Sequence, residues 1–307
     1  MKDLVNKILR GMVIGLANII PGVSGGTMMV SMGIYDTLIY SITHLFKEFW
    51  KSVKTLLPYL AGMVAAIILG AFGLKAAFNS YPLPTNALFI GLILGSIPAI
   101  IYQMKGEKTG VTGAVIFLLL FALVVVLKVI EGNTRVALGV GVLDLIKYFF
   151  LGALASATMV IPGVSGSMIL KTLGYYEPIV TDTLPEAIKA LTGGNWGLLG
   201  HDLLILLPFG IGIVVGIFAI AKLIEVLLKK WKGYTYCGIL GMVAASPIVI
   251  MMDKNNWQVE EPKGSDTFVP REISAWLIVA AVAALIAGLF IAWKLAGDKK
   301  TDEKVKA

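Results

Sequence analysis

The sequence predicts an all-α, polytopic integral membrane protein with an inverted-topology repeat, in which each half is a re-entrant helical hairpin plus three transmembrane helices. Of its 307 residues, 57% are hydrophobic and 15% are charged, whereas about a quarter of a soluble protein is charged. Six apolar segments approach the ~20 residues that a helix needs to cross a bilayer. The motif IPGVSG occurs twice, at 20–25 and 161–166. Because proline and glycine interrupt helices, the two copies mark breaks inside apolar runs.

The composition excludes several classes of protein. Nucleic-acid binding is the first class to consider, because the formal net charge is +7. However, the basic residues collect on one predicted side of the membrane, so we expect no nucleic-acid partner. The single cysteine, Cys237, excludes an intramolecular disulfide. Because His44 and His201 are isolated, we expect no metal site and no other cofactor.

The chain begins with a segment that resembles a signal peptide. Basic residues precede an apolar run over 12–20. However, residues 3–36 align without a gap to residues 144–177, with 11 of 34 positions identical. A signal peptidase would not cut in the middle of the chain, so the second copy has another role. We therefore predict that the N-terminus is the first of two motif units rather than a cleaved leader.

Each motif unit is followed by three predicted spans. A polar, glycine-rich connection over 182–202 leads from the second unit to its spans. The predicted spans are about 56–78, 86–104 and 111–130 in the first half, and 203–228, 235–252 and 273–296 in the second. The predicted domains are a membrane repeat at 1–135, a membrane repeat at 136–297 and a charged cytoplasmic tail at 298–307.

The distribution of lysine and arginine predicts the orientation in the membrane. If both motif units dip into the bilayer and return, and the N-terminus is cytoplasmic, the cytoplasmic side carries 16 of these residues and the external side carries 5. Such an asymmetry follows the positive-inside rule. Three crossings then separate the two motif units, so the second unit enters from the opposite face. This arrangement is typical of transporters with a central substrate site, and it places both termini in the cytoplasm.

The repeated motif has the chemistry of an anion-binding loop. Proline ends a regular segment, glycine permits positive φ and close backbone approach, and serine caps the half-helix that follows. The exposed N–H groups and the positive dipole end of such a half-helix suit a phosphate. The residues predicted to shape the loops are Pro21, Gly22, Pro162 and Gly163. The residues predicted to bind phosphate are Ser24, Gly25, Gly26, Thr27, Ser165, Gly166, Ser167 and Lys171.

Several of these features have structural alternatives. The PGVSG breaks could be packing kinks, since small residues also serve close helix contacts. Lys171 either compensates a phosphate charge or extends to the membrane surface. Asp36 and Glu177 either carry protons or mark the membrane boundary. Lys222 and Glu225, three residues apart, are predicted to form a structural ion pair.

With these residues in view, the chain resembles the PopT family of bacterial and archaeal polyprenyl-phosphate transporters. The resemblance rests on GLANIIPGVSGGTMMVSMGIYD (15–36), GLILGSIP (91–98) and SATMVIPGVSGSMILKTLGYYEP (156–178). It implies translocation of undecaprenyl phosphate across the bacterial plasma (inner) membrane, where this lipid carrier is recycled for cell-wall synthesis. The family pattern often has aspartate where this chain has Asn18, and glutamate where it has Asp36. Asn18, Tyr35 and Tyr176 are secondary site candidates.

The expected mechanism is transport without chemistry. The phosphate enters a cavity between the two loops while the isoprenoid tail stays in the membrane lipid, and rocking of the halves exposes the headgroup to the other side. Two alternatives stay open: a phosphatase similar to undecaprenyl-diphosphate phosphatases, and an anion channel or exchanger. The phosphatases have an arginine after the loop serine and a Glu-x-x-x-Glu pair. Gly25 and Gly166 take the arginine position here, and no such glutamate pair occurs.

Overall fold

The computed structural model describes residues 2–19, 25–132, 135–252, 257–260, 268–270 and 272–297. The described chain is almost entirely helical. Its α-helices are α1 (Lys2–Ile19), α2 (Gly25–Ser31), α3 (Tyr35–Thr43), α4 (Phe49–Ser80), α5 (Pro82–Gln103), α6 (Gly110–Val129), α7 (Val142–Val160), α8 (Gly166–Thr172), α9 (Leu184–Gly193), α10 (Trp196–Lys230), α11 (Lys232–Met251) and α12 (Ala275–Gly297).

The predicted spans coincide with helices. Five helices within the described residues, α5, α6, α10, α11 and α12, are long and apolar enough to cross a membrane. The sixth predicted span, 56–78, lies inside α4, which has 32 residues. The protein is therefore a helical, multi-pass membrane protein, as predicted. The predicted tail at 298–307 lies outside the described residues.

The connection predicted at 182–202 is helical, and the span that follows begins earlier than predicted. A π-helical turn (Glu177–Thr183) leads into α9, and α10 already begins at Trp196. Local signals explain the two helices. Gly194 ends α9 with a φ of 71°, and the side chain of Asn195 accepts a hydrogen bond from Leu198 N at 3.2 Å, which caps α10. The polar, glycine-rich stretch therefore contains the short helix α9 and the first turns of α10.

A short sheet is the other regular structure in the part of the chain described. It pairs β1 (Gln258–Glu260) with β2 (Phe268–Pro270) in antiparallel fashion. The hairpin lies between α11 and α12, outside the apolar spans. It leaves the helical membrane architecture unchanged.

The two motif units repeat in local structure as well as in sequence. The half-helices α2 and α8 have seven residues each. Each is followed by a glycine with positive φ, Gly33 at 68° and Gly174 at 79°. Their N–H groups bond to Val30 O at 3.0 Å and Lys171 O at 2.9 Å. The N–H group of the residue after each glycine bonds to the carbonyl oxygen five residues earlier in the chain. Both half-helices therefore end in the same Schellman motif.

The spans also repeat, with an offset of 150 residues. Tyr81 and Trp231 separate α4 from α5 and α10 from α11, with φ/ψ of −137°/56° and −139°/52°. The Thr85 hydroxyl donates to Tyr81 O at 2.7 Å, and the Thr235 hydroxyl donates to Trp231 O at 2.8 Å. The repeat is detected in the sequence only over the motif units. The structure shows that it continues into the spans.

Glycines let the first helix of each half pack tightly along a long span. A Cβ on Gly11 would lie 2.2 Å from Tyr59 O, and a Cβ on Gly15 would lie 2.5 Å from Met63 O. Residue numbers rise together along both helices, so α1 and α4 run parallel. In the second half, Gly152 lies against Phe209 and Gly216 against Ala153 and Ser156, so α7 and α10 also run parallel.

The last span of each half packs mainly on the other half. α6 packs on α11, and α12 packs on α5. Gly241 permits the first contact, because a Cβ there would lie 2.3 Å from Phe117 O. Gly91 and Gly288 permit the packing of α12 on α5, because they face Leu285 O and Leu88 O respectively. The main hydrophobic core consequently contains residues of both halves.

Candidate functional site

The two motif units meet at the start of α2. Thr27 Oγ1 accepts a hydrogen bond from Gly163 N at 2.7 Å, and Thr27 is fully buried. The neighbouring Gly26 lies against the backbone of the second loop, where a Cβ would approach Val160 O to 2.7 Å. The first turn of α2 therefore packs directly on the second PGVSG loop.

The first loop itself falls largely outside the described residues, which omit Pro21, Gly22 and Ser24. The described Gly25 N donates to Asn18 Oδ1 at 3.1 Å. A Cβ on Gly25 would lie 2.4 Å from the same oxygen. Asn18, at the end of α1, therefore caps the start of α2. Its sequence separation from Gly25 is too long for a standard helix-capping pattern.

The second loop is described in full. Gly163 has a φ of 85°, as its predicted role requires. Ser165 is the N-cap residue of α8, but its side chain makes no capping bond. The predicted cap is therefore wrong at this position. Instead, Ser165 Oγ and Ser167 Oγ share a hydrogen bond of 2.8 Å, and both residues are half-buried. They form a pair of hydroxyls at the start of α8, next to Pro162 and Gly166.

The cation of the second unit lies over an aromatic ring. Lys171 occupies the last turn of α8. Its Nζ is 5.3 Å from the centroid of the Tyr176 ring, a cation–π geometry. The structure thus brings together two predicted site residues of the second unit. Val30 takes the equivalent position in the first unit, so only one of the two loops has such a cation.

The two acidic residues have different environments. Asp36 is half-buried, and its Oδ1 accepts from the Tyr236 hydroxyl at 2.8 Å. The equivalent Glu177 is exposed. The preceding Tyr35 is buried and donates its hydroxyl to Val160 O at 3.2 Å. Asp36 therefore belongs to a contact between the two halves, whereas Glu177 lies at the surface.

A cavity of about 500 Å³ lies beside Asp36. It is bounded by α3, the start of α4 and the end of α10. Its charged lining residues are Asp36, Glu48, Lys51, Glu225, Lys229 and Lys232. Asp36 also lines a void of about 20 Å³ with Val30, Tyr35 and Tyr236. Asp36 therefore lies between the cavity and the half-helix α2.

Glu225 is the charged centre of the far wall of this cavity. It is buried and accepts from Lys222 Nζ at 2.9 Å and from Lys229 Nζ, which confirms the predicted ion pair with Lys222. His44 Nε2 lies 3.9 Å from Glu225 Oε1. The cluster therefore connects α3 to α10. His44 and Tyr236 were not predicted as site residues, because each joins the site through a contact with another helix. Lys229 lies four residues after Glu225 on the same helix, a spacing that could have indicated this ion pair.

At the rim of the cavity, Glu48 precedes α4. The hydrogen bond from the Tyr40 hydroxyl, followed by that from Lys51, lowers the pKa of the Glu48 carboxyl. Glu48 therefore stays ionised at neutral pH. In the part of the chain that the structure describes, no group of three or more His, Cys, Asp or Glu side chains could hold a metal ion.

Residues 14–268, most of the chain and both loops, match the family described as undecaprenyl phosphate translocase-like. The chain belongs to this family. The chain is similar to a polyprenyl-phosphate transporter from Staphylococcus aureus, which is 31% identical over 245 residues, covering 78% of this chain and 83% of the relative. A polyprenyl-phosphate transporter from Vibrio cholerae is 26% identical over 320 residues, covering 94% and 96%. No solved structure matches the chain. The resemblance drawn from the motifs is confirmed.

Proposed function

We propose that this protein moves undecaprenyl phosphate, or a related polyprenyl phosphate, between the leaflets of the bacterial plasma membrane. The observation that carries the proposal is membership of the undecaprenyl phosphate translocase-like family, over residues that include both PGVSG loops. The contact between Thr27 and Gly163 supports it. Because that contact brings the two motif units together, both halves can contact the same lipid headgroup.

The proposed architecture is an inverted repeat of re-entrant units. The parallel packing of α1 on α4 supports re-entry, because two parallel helices start on the same side of the membrane. The same reasoning applies to α7 and α10. The start of α4 and the end of α10 line one cavity, which supports opposite directions for the two halves. By the positive-inside rule, this lysine-rich end is the cytoplasmic one, with both termini on that side.

The proposed phosphate site is centred on the second loop, at Ser165, Gly166 and Ser167. Two hydroxyls there are half-buried, and among the described residues they bond only to each other. Desolvating a phosphate is costly unless its oxygens are paired, and Lys171 supplies a cation within the same half-helix. At the start of α2, Gly25 N already donates to Asn18 Oδ1, and Thr27 Oγ1 already accepts from Gly163 N. Gly26 and Thr27 therefore support the second loop, and Ser24, which lies outside the described residues, stays a predicted phosphate-binding residue.

The proposal is transport rather than hydrolysis. A glycine follows each loop serine, where a phosphatase of this type has an arginine to stabilise the developing charge. The relatives' names also describe transporters. Release of inorganic phosphate from undecaprenyl diphosphate by the purified protein would contradict this assignment.

The test is a leaflet-exposure assay in proteoliposomes that contain only this protein and undecaprenyl phosphate. Replacing Ser165 and Ser167 by alanine should slow flipping about tenfold or more, since a hydrogen bond to a charged group contributes about 1.5–3 kcal/mol. The Ser24→Ala/Ser165→Ala double variant should also be slow. Thr192→Ala, on the exposed face of α9, is the control and should flip normally. Unchanged flipping in both serine double variants would refute the site.

Proton coupling through Asp36 is part of the proposal, and its test uses a pH gradient. Asp36→Asn should abolish the response of flipping to the gradient, because the amide has no carboxyl group to gain and lose a proton. Glu177→Gln is the matched control and should retain the response, because Glu177 is exposed and away from the cavity. An Asp36→Asn variant that still responds would exclude Asp36 as the coupling acid.

A further inference from the structure

An apolar groove lies between α6 and α10, with α11 as its floor. Its volume is about 560 Å³. We call it the α6–α10 groove. Its lining residues come from α6, α10 and α11, from Trp231 between the last two, and from the second motif unit. None of them is charged.

The groove connects the lysine-rich end of the protein with the second loop. Thr112 and Trp231 lie at the lysine-rich end. Ile161, Val164 and Ile169 lie at the other, on either side of the Ser165–Ser167 hydroxyl pair in the chain. Along α6 the lining extends from Thr112 to Leu127, about 22 Å at 1.5 Å per residue. The groove is therefore long and narrow, with a polar loop at its inner end.

The floor and the walls of the groove differ in exposure. Gly238 and Ile239 on the floor are buried. A Cβ on Gly238 would lie 2.6 Å from Leu120 Cδ1, so the missing side chain lets α6 lie close to α11. On the walls, Leu123 and Leu223 are 47% and 51% exposed. The groove is therefore open along its side to the hydrocarbon of the bilayer.

We propose that the α6–α10 groove binds the prenyl chain of a polyprenyl phosphate while the phosphate lies at Ser165 and Ser167. This inference rests on the proposed function. Ser165 and Ser167 do not line the groove themselves, but Val164 and Ile169, which flank them in the chain, line its inner end. A phosphate at the two serines would therefore lie next to the groove into which its chain extends. A transmembrane helix of a partner, about 10 Å across, is too wide for a groove of this volume. A single prenyl chain is the occupant of matching cross-section and polarity.

Shape must provide the selectivity of this groove. In a bilayer, lipid tails are as apolar as leucine, so burial of apolar area favours no particular chain. Packing contacts can still distinguish a methyl-branched prenyl chain from a straight acyl chain. The groove therefore predicts preference for prenyl over acyl chains attached to the same phosphate.

The first test is photolabelling of the intact protein in liposomes with a diazirine-bearing prenyl phosphate. Labels should concentrate on the groove faces of α6, α10 and α11. Excess undecaprenyl phosphate should compete, whereas excess phosphatidate should not. Competition by phosphatidate at the same strength would assign the groove to ordinary phospholipid and overturn the inference. Labels spread evenly over the lipid-exposed helices would also overturn it.

The second test fills the groove by mutation. Leu223→Trp should reduce both groove labelling and flipping at least fivefold. Leu207→Trp is the matched control, because Leu207 lies on the same helix, is 56% exposed and lies outside the groove. The control should label and flip like the wild type, and thermal unfolding in detergent should be similar for both variants. Equal labelling of the two variants would overturn the inference.

The outcomes separate this inference from the proposed function. If the wild type flips undecaprenyl phosphate and Leu223→Trp flips equally well, the groove assignment fails and the proposed function stands. If the wild type does not flip the lipid but the groove is labelled with the expected competition, the proposed function fails and the groove stands.

Discussion

Hydrogen bonds from single side chains determine how the two motif units meet. Thr27 accepts from Gly163 N, and Tyr35 donates to Val160 O. Tyr236 donates to Asp36 across a sequence separation of 200 residues. Each of these bonds pairs a polar group at a buried or half-buried position, where an unpaired group would be costly. The contact between the loops is consequently specific.

Thr27→Val tests the bond between the loops. Valine has nearly the same shape as threonine but cannot accept from Gly163 N, and a buried unpaired donor costs about 1–3 kcal/mol. We expect a lower unfolding temperature in detergent and slower flipping. Thr27→Ser keeps the hydroxyl and should retain most of both. Equal unfolding temperatures for the valine and wild-type proteins would show that the bond does not contribute.

Asn18 tests whether an acceptor or an acid is needed at the end of α1. The Asn18 Oδ1 accepts from Gly25 N, and a carboxylate oxygen would accept equally well. Asn18→Asp should therefore retain stability and flipping. Asn18→Leu removes the acceptor and should destabilise the protein by about 1 kcal/mol or more, as loss of a cap does. Thermal unfolding and the flipping assay measure both effects. A fully stable leucine variant would refute the capping role.

Close helix pairs orient the motif units. α1 lies along α4 and α7 lies along α10, and in both pairs glycines let the backbones approach. Packing through small residues is the usual basis of helix association in lipid. The glycines that matter are therefore those facing a neighbouring backbone, and other glycines on the same helices should tolerate side chains.

Two glycines of α10 make a matched test of this packing. A Cβ on Gly212 would lie 1.9 Å from Phe149 O, whereas a Cβ on Gly210 would have no atom within 4 Å. Gly212→Ala should destabilise the protein by about 1–3 kcal/mol through overpacking. Gly210→Ala should be neutral or stabilise by up to about 1 kcal/mol, because alanine is the better helix former. Unfolding in detergent compares them, and a stable Gly212→Ala would contradict the close contact.

The two halves are interlocked across the molecule. Each last span packs on the second span of the other half, and the motif units contact each other between them. The Glu225 cluster adds a further connection from α3 to α10. Rocking of the halves, as the proposed transport requires, must therefore rearrange polar contacts beside the 500 Å³ cavity rather than separate two independent bodies.

Expression of split halves tests this interlocking. Residues 1–135 or 136–307 alone should be degraded or aggregate in the membrane, because α6 and α12 would lose the helices on which they mainly pack. Co-expression of both fragments should restore a complex that survives purification and flips the lipid. A stable, monomeric single fragment would contradict the packing, and pull-down of one tagged fragment by the other is the direct measurement.

Some of this architecture was predictable because it depends on local chemistry. The predicted span at 56–78 and the other spans follow from runs of apolar residues. Gly163 adopts positive φ, as its motif requires. The region at 182–202 was predicted as a connection with no secondary structure assigned, whereas the capping signals at Gly194 and Asn195 separate two helices there. The repeat at Tyr81 and Trp231 was not predicted, because these two positions share a backbone conformation but not a residue type.

The sequence by itself determined the membrane class, the spans, the duplicated loops and the family, because hydrophobic length and motif spacing are properties of short segments. Only the tertiary structure decided the partners. Thr27 and Gly163 are 136 residues apart, and no periodicity connects positions so distant. The same holds for Asp36 with Tyr236, and for the groove formed by α6, α10 and α11. These features depend on which helices pack together, and local hydrophobicity and motif spacing do not specify the packing partner of a helix.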